Sequence, residues 1–212
     1  MYNRKDLLGL RDLSADEIMT ILNTAKEMKA KIDNPSLRDD SLSKSSIVTL
    51  FYENSTRTKM SFMLAGDYQG AIVKDLGVAT SSVSKGESLV DTGVTLDQMG
   101  INIMIIRHQM TGAAHLLAKN VKASVVNAGD GSNEHPTQAL LDLFTIMEKK
   151  GSFEGLKVVI LGDISHSRVA RSNAFGLTKL GAKVTLAGPS TLVSNSMKSL
   201  GVEVETDIPK AI

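Results

Sequence analysis

Three hydroxyls and a guanidinium stand together at Ser55-Thr56-Arg57-Thr58, directly after the apolar run Ile47 to Tyr52 and the pair Glu53-Asn54. A strand that turns straight into a helix presents the helix's first free N–H groups at the carboxyl end of a sheet, where the macrodipole favours negative charge. Hydroxyls and one guanidinium added there make a phosphate cradle. The alternative is an ordinary Ser N-cap followed by an exposed Arg. The stretch lacks the Gly-rich spacing and Lys of a nucleoside-triphosphate loop, so a smaller phosphorylated ligand is the better match.

Other segments carry compatible chemistry. "SSVSKGES", residues 81 to 88, is a second polar turn before a helix, and its Lys85 supplies a mobile cationic head unless the segment is only a solvated loop. "IIRH" places Arg107 at the end of an apolar strand, at the edge where open α/β sheets bind ligands; an Arg pointing into water is the competing reading. "NAGDGSNEHPTQ", residues 127 to 138, bends through two glycines after a strand and opens a helix with His135 and Pro136, leaving Gln138 on the first turn. A helix N-terminus disfavours imidazolium, so His135 is expected as a neutral donor suited to polarising a carbonyl oxygen, or else as a simple helix cap. In "GDISHSRVARS", Arg168 stands where it could hold a carboxylate bidentately. The dinucleotide alternative is weakened because Gly162 is followed by Asp163 and Ile164 rather than by G-x-G-x-x-G. His108, His115 and His166 show no metal-ligand spacing, and no metal is expected.

The elements that must position these groups follow a repeated rhythm. Ser14 and Glu17 form a capping box, after which Ile18, Ile21, Leu22, Ala25 and Met28 recur at helical spacing. Strands are predicted at Ile47 to Tyr52, Ala71 to Leu76, Ile101 to Ile106 and Ala123 to Val126, with helices following Ser55, Gly86 and Gly112. Pro136 and Gly151 bound a further helix, with Leu140, Leu141, Phe144 and Met147 read as its apolar face. A new cycle begins at "LKVVILGD" and continues with a helix from about Arg168 to Leu180, the strand "AKVTLAGP", a helix near Ser190 to Leu200, and "GVEVE". The expected fold is α/β, with two doubly wound parallel-sheet domains. The chain stops at "DIPKAI", where another helix should begin, so the second domain is expected to be incomplete and C-terminal sequence to be missing.

Composition narrows the classes. Lys plus Arg number 24 against 23 for Asp plus Glu, so no global field draws the chain to nucleic acid or to anionic lipid, and any anion site must be local. The absence of Cys excludes disulfides and thiolate chemistry and fits a reducing compartment. No segment approaches the length of a membrane span, and a cytoplasmic protein is expected.

Taken together, "ENSTRT", "SSVSKGES" with Asp91 and Thr92, "IRH", "NAGDGS" with "HPTQALLDL", and "GDISHSRVARS" resemble the aspartate carbamoyltransferase family in order and spacing, from about Phe51 to Ser172. The related ornithine carbamoyltransferases share S-T-R-T and H-P-x-Q, but "NAGDGS" before "HPTQ" looks like the aspartate enzymes. The resemblance implies transfer of a carbamoyl group from carbamoyl phosphate to L-aspartate in pyrimidine biosynthesis, without a cofactor. It implies carbamoyl phosphate on Ser55, Thr56, Arg57 and Thr58, with Arg107 bridging phosphate and carbonyl. Thr58, Arg107 and His135 would polarise that carbonyl, and Gln138 would fix the carbamoyl amide. Ser81 and Lys85 would reach into the site of an adjacent subunit of a homotrimer, and Arg168 would bind the α-carboxylate of aspartate, a substrate that Lys85 also contacts. Regulatory or partner subunits are compatible with the same resemblance.

Domains are accordingly expected at 1–134 for carbamoyl phosphate and 152–212 for part of an aspartate domain, joined by a helix at 135–151. Met63, Gln109 and Glu134 stand where the family usually has Glu, Pro and Gln. Its later R-x-Q-x-E-R and H-P-x-P segments have no counterpart in these 212 residues. A non-catalytic chain that binds phosphate compounds or assembles with partners is therefore the alternative function.

Overall fold

The computed structural model describes residues 3–38, 40–78 and 81–212. It contains two compact units, one formed by Asn3–Leu8 and Thr24–Gly131, the other by Gly9–Asn23 and Ser132–Ile212. Among the described residues no helix is long and apolar enough to cross a membrane.

In the first of these units four parallel strands lie in the order β2-β1-β3-β4: β1 (Ser46–Phe51), β2 (Ile72–Leu76), β3 (Ile103–His108) and β4 (Ser124–Asp130). Alternation along the strands divides their side chains between two faces. Val48, Leu50, Met104, Ile106 and Val125 pack with Ala113, Ala114 and Leu117 of α4 (Ala113–Asn120), joined by Leu89 and Leu96 of α3 (Leu89–Gln98). Ile47, Phe51, Ile105 and Ala128 face the other way, with Phe62 of α2 (Thr56–Asp67). Full burial of each such aliphatic side chain contributes about 1.5–3 kcal/mol, and this two-sided burial fixes the strand register on which the loops at the carboxyl edge depend.

That edge differs from expectation in two strands: β3 runs from Ile103 to His108 rather than from Ile101 to Ile106, and β4 is longer than expected. The strand predicted to end at Val126 continues to Asp130, so "NAGD" belongs to β4, and the expected bend at its glycine is a kink within the strand, Gly129 standing at φ +115°. Pairing with β3 shifts register between Ile106 and His108, and the irregularity accommodates the longer strand. The reversal is delayed to Gly131, at φ +51°, where an added Cβ would lie 2.6 Å from the backbone nitrogen of Thr111.

In the other unit the parallel sheet is β5-β6-β7: β5 (Lys157–Leu161), β6 (Lys183–Ala187) and β7 (Glu203–Glu205). The capping box at the start of α1 (Ala15–Asp33) is closed in both directions, Glu17 N–H to Ser14 Oγ at 3.1 Å and Ser14 N–H to Glu17 Oε2 at 2.8 Å. Helix α5 (Pro136–Lys150) groups with this unit and packs on α6 (Arg168–Lys179). The approach is close: a Cβ on Gly176 would lie 2.7 Å from Leu143 Cδ1. The buried face of α5 is Pro136, Ala139, Leu140 and Leu143; of the predicted face Leu140 is buried, Phe144 and Met147 are half-buried, and Leu141 is 58% exposed. The predicted helix near Ser190 to Leu200 is only a 3₁₀ turn at Asn195–Leu200, capped by Ser194 Oγ on the N–H of Ser196 and preceded by a turn in which the N–H groups of Leu192 and Val193 both go to the Pro189 carbonyl. A short α7 (Ile208–Ala211) occupies the expected "DIPKAI" helix.

Candidate active site

Ser55 sits at the N-cap of α2 in an extended conformation, yet its side chain caps nothing. The contrast with other serines at helix starts is direct. Ser88 Oγ accepts from Asp91 N–H at 3.2 Å, Ser167 Oγ from Ala170 N–H at 3.1 Å, and Ser14 closes the capping box. The simple-cap alternative for Ser55 therefore fails. Thr56 and Arg57 are exposed, Ser55 and Thr58 half-buried. Among the described residues none of these four side chains makes a hydrogen bond or ion pair, so their donors face an uncapped helix N-terminus with nothing spent.

Arg107 lies beside this segment, because Phe51 at the end of β1 pairs with Arg107 at the end of β3 and Tyr52 N–H donates to the Arg107 carbonyl at 2.9 Å. Its guanidinium does not point simply into water. Nε donates to Glu53 Oε2 at 3.0 Å, with the two side chains 17% and 25% exposed, which orients the guanidinium. Ser81 caps the 3₁₀ turn Ser82–Lys85, taking the N–H of Val83 and donating to the carbonyl of Val78 at 2.8 Å. Lys85 is exposed and makes no hydrogen bond or ion pair among the described residues.

The "NAGD" residues are structural. Asn127 Nδ2 donates to Asp130 Oδ1 at 2.8 Å and to the carbonyl of Leu8 at 2.9 Å, while Asp130 Oδ2 accepts the N–H of Gly112 at 2.8 Å and so caps α4. Neighbouring His108 packs against Tyr52 with ring centroids 4.6 Å apart and planes tilted by 41°, and accepts Met110 N–H on Nδ1 at 2.9 Å. Burial lowers its pKa against the pull of Glu53 and Asp130, favouring the neutral ring.

In the other unit, His135 occupies the N-cap of α5 without capping it through its ring, which lies 3.5 Å from the Thr137 hydroxyl at Nδ1. The backbone holds it instead. His135 N–H donates to Ser172 Oγ at 2.9 Å, and Ser172 Oγ donates to Glu134 Oε2 at 3.0 Å. The buried Glu134 carboxylate also accepts Leu10 N–H at 2.7 Å and Arg11 N–H at 3.3 Å. Gln138, on the first turn, donates from Nε2 to Asp142 Oδ1 at 3.0 Å. Arg168 opens α6, half-buried, just after the Ser167 cap.

Residues 5–148 match the family model described as "Aspartate/ornithine carbamoyltransferase, carbamoyl-P binding domain". The chain belongs to this family. It is 61% identical to the aspartate carbamoyltransferase catalytic subunit of Acetivibrio thermocellus over 98% of its own length and 67% of that protein's. The corresponding subunit of Ruminiclostridium cellulolyticum is 60% identical over 98% and 66%. The fold also matches the crystal structure of aspartate transcarbamoylase from Trypanosoma cruzi in complex with carbamoyl phosphate, with TM-score 0.87 and 30% identity over 96% of this chain and 66% of that one. A second structure of that enzyme, with carbamoyl phosphate and aspartate, gives TM-score 0.87 and 30% identity over 96% and 70%. The chain thus spans about two thirds of the length of the curated relatives it matches.

Set against the carbamoyltransferase motifs, sequence reasoning missed Glu53 as the partner of Arg107, and Ser172 with Glu134 as the support of His135. Glu53 begins the motif "ENSTRT" and its charge was a usable signal. Ser172 lies 38 residues from Glu134, with no local sign of the contact.

Proposed function

We propose that the protein transfers the carbamoyl group of carbamoyl phosphate to the amine of L-aspartate, giving N-carbamoyl-L-aspartate and phosphate. The observation that carries this reading is the uncapped start of α2, where Ser55, Thr56, Arg57 and Thr58 keep their donors unspent. In this scheme they hold the phosphate, Arg107 bridges phosphate and carbonyl, and Thr58, Arg107 and His135 stabilise the carbonyl oxygen as it gains charge. Gln138 holds the carbamoyl amide, Arg168 the α-carboxylate of aspartate, and Ser81 and Lys85 serve the site of a neighbouring subunit in a homotrimer.

The aspartate amine attacks the carbamoyl carbon directly. An N–C bond forms, the C–O bond to phosphate breaks, and phosphate leaves with the proton that the amine gives up. No side chain becomes covalently attached, so positioning and fixed donors supply the acceleration. Residues 1–134 would form the carbamoyl-phosphate domain, 135–151 the connecting helix, and 152–212 part of the aspartate domain. Pyrimidine synthesis in the cytoplasm is the setting this chemistry fits, and the identity to aspartate carbamoyltransferase subunits supports aspartate over ornithine.

Calorimetric titration of carbamoyl phosphate into the chain tests the reading. Saturable binding that inorganic phosphate competes away is expected, and no heat at millimolar ligand contradicts it. Sedimentation at three times the 22.7 kDa mass of the chain is the expected sign of the trimer, and a monomer at high protein concentration contradicts that part.

A further inference from the structure

The amide of Gln138 is held at one end. Nε2 donates to Oδ1 of Asp142, one turn further along α5, at 3.0 Å. The other oxygen of that carboxylate, Oδ2, accepts from Nδ2 of Asn173 on α6 at 2.7 Å. An ionised carboxylate only accepts, so neither amide can turn its oxygen toward Asp142 without setting oxygen against oxygen. The usual ambiguity between the two ends of an amide is thereby removed. Asn173 keeps its bond although its own Oδ1 is buried without a partner among the described residues, which shows how firmly the carboxylate dictates orientation. Gln138 must give its NH2 to Asp142, and the opposite end of the amide is its carbonyl oxygen.

We infer that Asp142, fixed by Asn173, is a positioning residue that makes Gln138 a hydrogen-bond acceptor toward its ligand. The inference rests on the proposed function, in which Gln138 meets the carbamoyl group, and it adds a specificity to it. A carbamoyl group has N–H bonds to give to that oxygen, whereas an acetyl group of the same shape has a methyl there. Without Asp142 the amide turns freely and in half of its orientations presents NH2 to NH2. The clamp therefore selects carbamoyl phosphate over acetyl phosphate.

Calorimetric affinities of carbamoyl phosphate and acetyl phosphate, measured on wild type, Asp142→Leu, Asp142→Ala and Asp142→Asn together with their melting curves, test this. Wild type is expected to prefer carbamoyl phosphate by about tenfold, the worth of one well-placed hydrogen bond. Asp142→Leu and Asp142→Ala, in which the amide divides itself between two orientations, should lower the preference about twofold, to about fivefold, by weakening carbamoyl phosphate alone. Asp142→Asn, which keeps one acceptor oxygen and folds most like wild type, should retain an intermediate preference. An unchanged ratio in the Leu and Ala variants, or equal weakening of both ligands, overturns the inference. Wild type that binds both ligands equally overturns it while leaving phosphate binding in place. Wild type that binds neither overturns the proposed function, and the inference with it.

Discussion

Neither α2 nor α5 is capped by its N-cap side chain, yet the two helix starts are supported in opposite ways. At α5 the His135 N–H is taken by Ser172, the Ser172 hydroxyl goes to Glu134, and Glu134 collects two further N–H groups from Leu10 and Arg11. At α2 the N-cap hydroxyl of Ser55 closes on nothing, and Arg57 stands exposed without a partner among the described residues. A helix start whose donors are consumed internally is a scaffold that holds one neighbour in place. One whose donors are unspent leaves them for a ligand, and the stability they would have contributed is forgone. The comparison teaches that damage at α5 should appear first in folding, and damage at α2 first in binding.

The sharpest break should come from Glu134→Ala. It strands a buried hydroxyl and two buried or half-buried N–H groups, and should destabilise the chain by about 3 kcal/mol in denaturant melts. Glu134→Gln, which keeps one acceptor oxygen, should cost about 1 kcal/mol. Equal and negligible losses for both would mean that the network at α5 does no structural work.

Arg57→Ala should do the reverse. Phosphate and carbamoyl phosphate affinity should fall about ten- to a hundredfold, as expected for a charge-assisted contact, while stability changes by less than about 0.5 kcal/mol. A variant that binds as wild type does removes Arg57 from the phosphate site.

A smaller effect compares two serines directly. Ser167→Ala removes a cap from α6 and should cost about 1 kcal/mol, whereas Ser55→Ala should leave stability within about 0.5 kcal/mol. Matching losses at both positions would contradict the claim that Ser55 is uncommitted.

The smallest expected effect is electrostatic and ties the first turn of α2, through Lys59, to β2. Burial tends to raise the pKa of Asp75, but bonds from Lys59 Nζ at 2.8 Å and Thr49 Oγ1 at 2.5 Å outweigh it and hold the carboxyl below 3.8. A depressed folded-state value contributes stability that is present above the ordinary carboxylate pKa and is lost as pH falls through the folded one. Asp75→Asn should therefore be less stable than wild type by under about 1 kcal/mol at pH 7, and the difference should vanish in acid melts well below pH 3.8. A difference independent of pH would assign Asp75 a packing role instead.

What could be read in advance was local. The Ser14 and Glu17 box, the Pro136 and Gly151 bounds of α5, and the four strands of the first sheet each depend on residues a few positions apart, and each formed, with β3 and β4 running past their expected ends. "NAGD" misled in part: Gly129 does kink the chain, at φ +115°, but Asn127 and Asp130 tie the segment into β4. The helix near Ser190 starts only at Asn195, because the chain first turns on the Pro189 carbonyl, which takes the N–H groups of Leu192 and Val193. For the candidate site, the residue types and their order were legible, but their supports were not. Glu134 with Ser172 and Asp142 with Asn173 join positions 38 and 31 residues apart, and only the packing of α5 on α6 brings them together.

The central claim is that the unspent donors at the start of α2 receive the phosphate of the substrate. Backbone amide shifts of isotope-labelled chain, followed during titration with carbamoyl phosphate, test it most directly. The account predicts that the largest saturable changes fall on Ser55, Thr56, Arg57 and Thr58, with Arg107 following at the same ligand concentration, and that they are abolished in Arg57→Ala. Saturable changes that leave residues 55–58 unmoved, or that persist in Arg57→Ala, would contradict it.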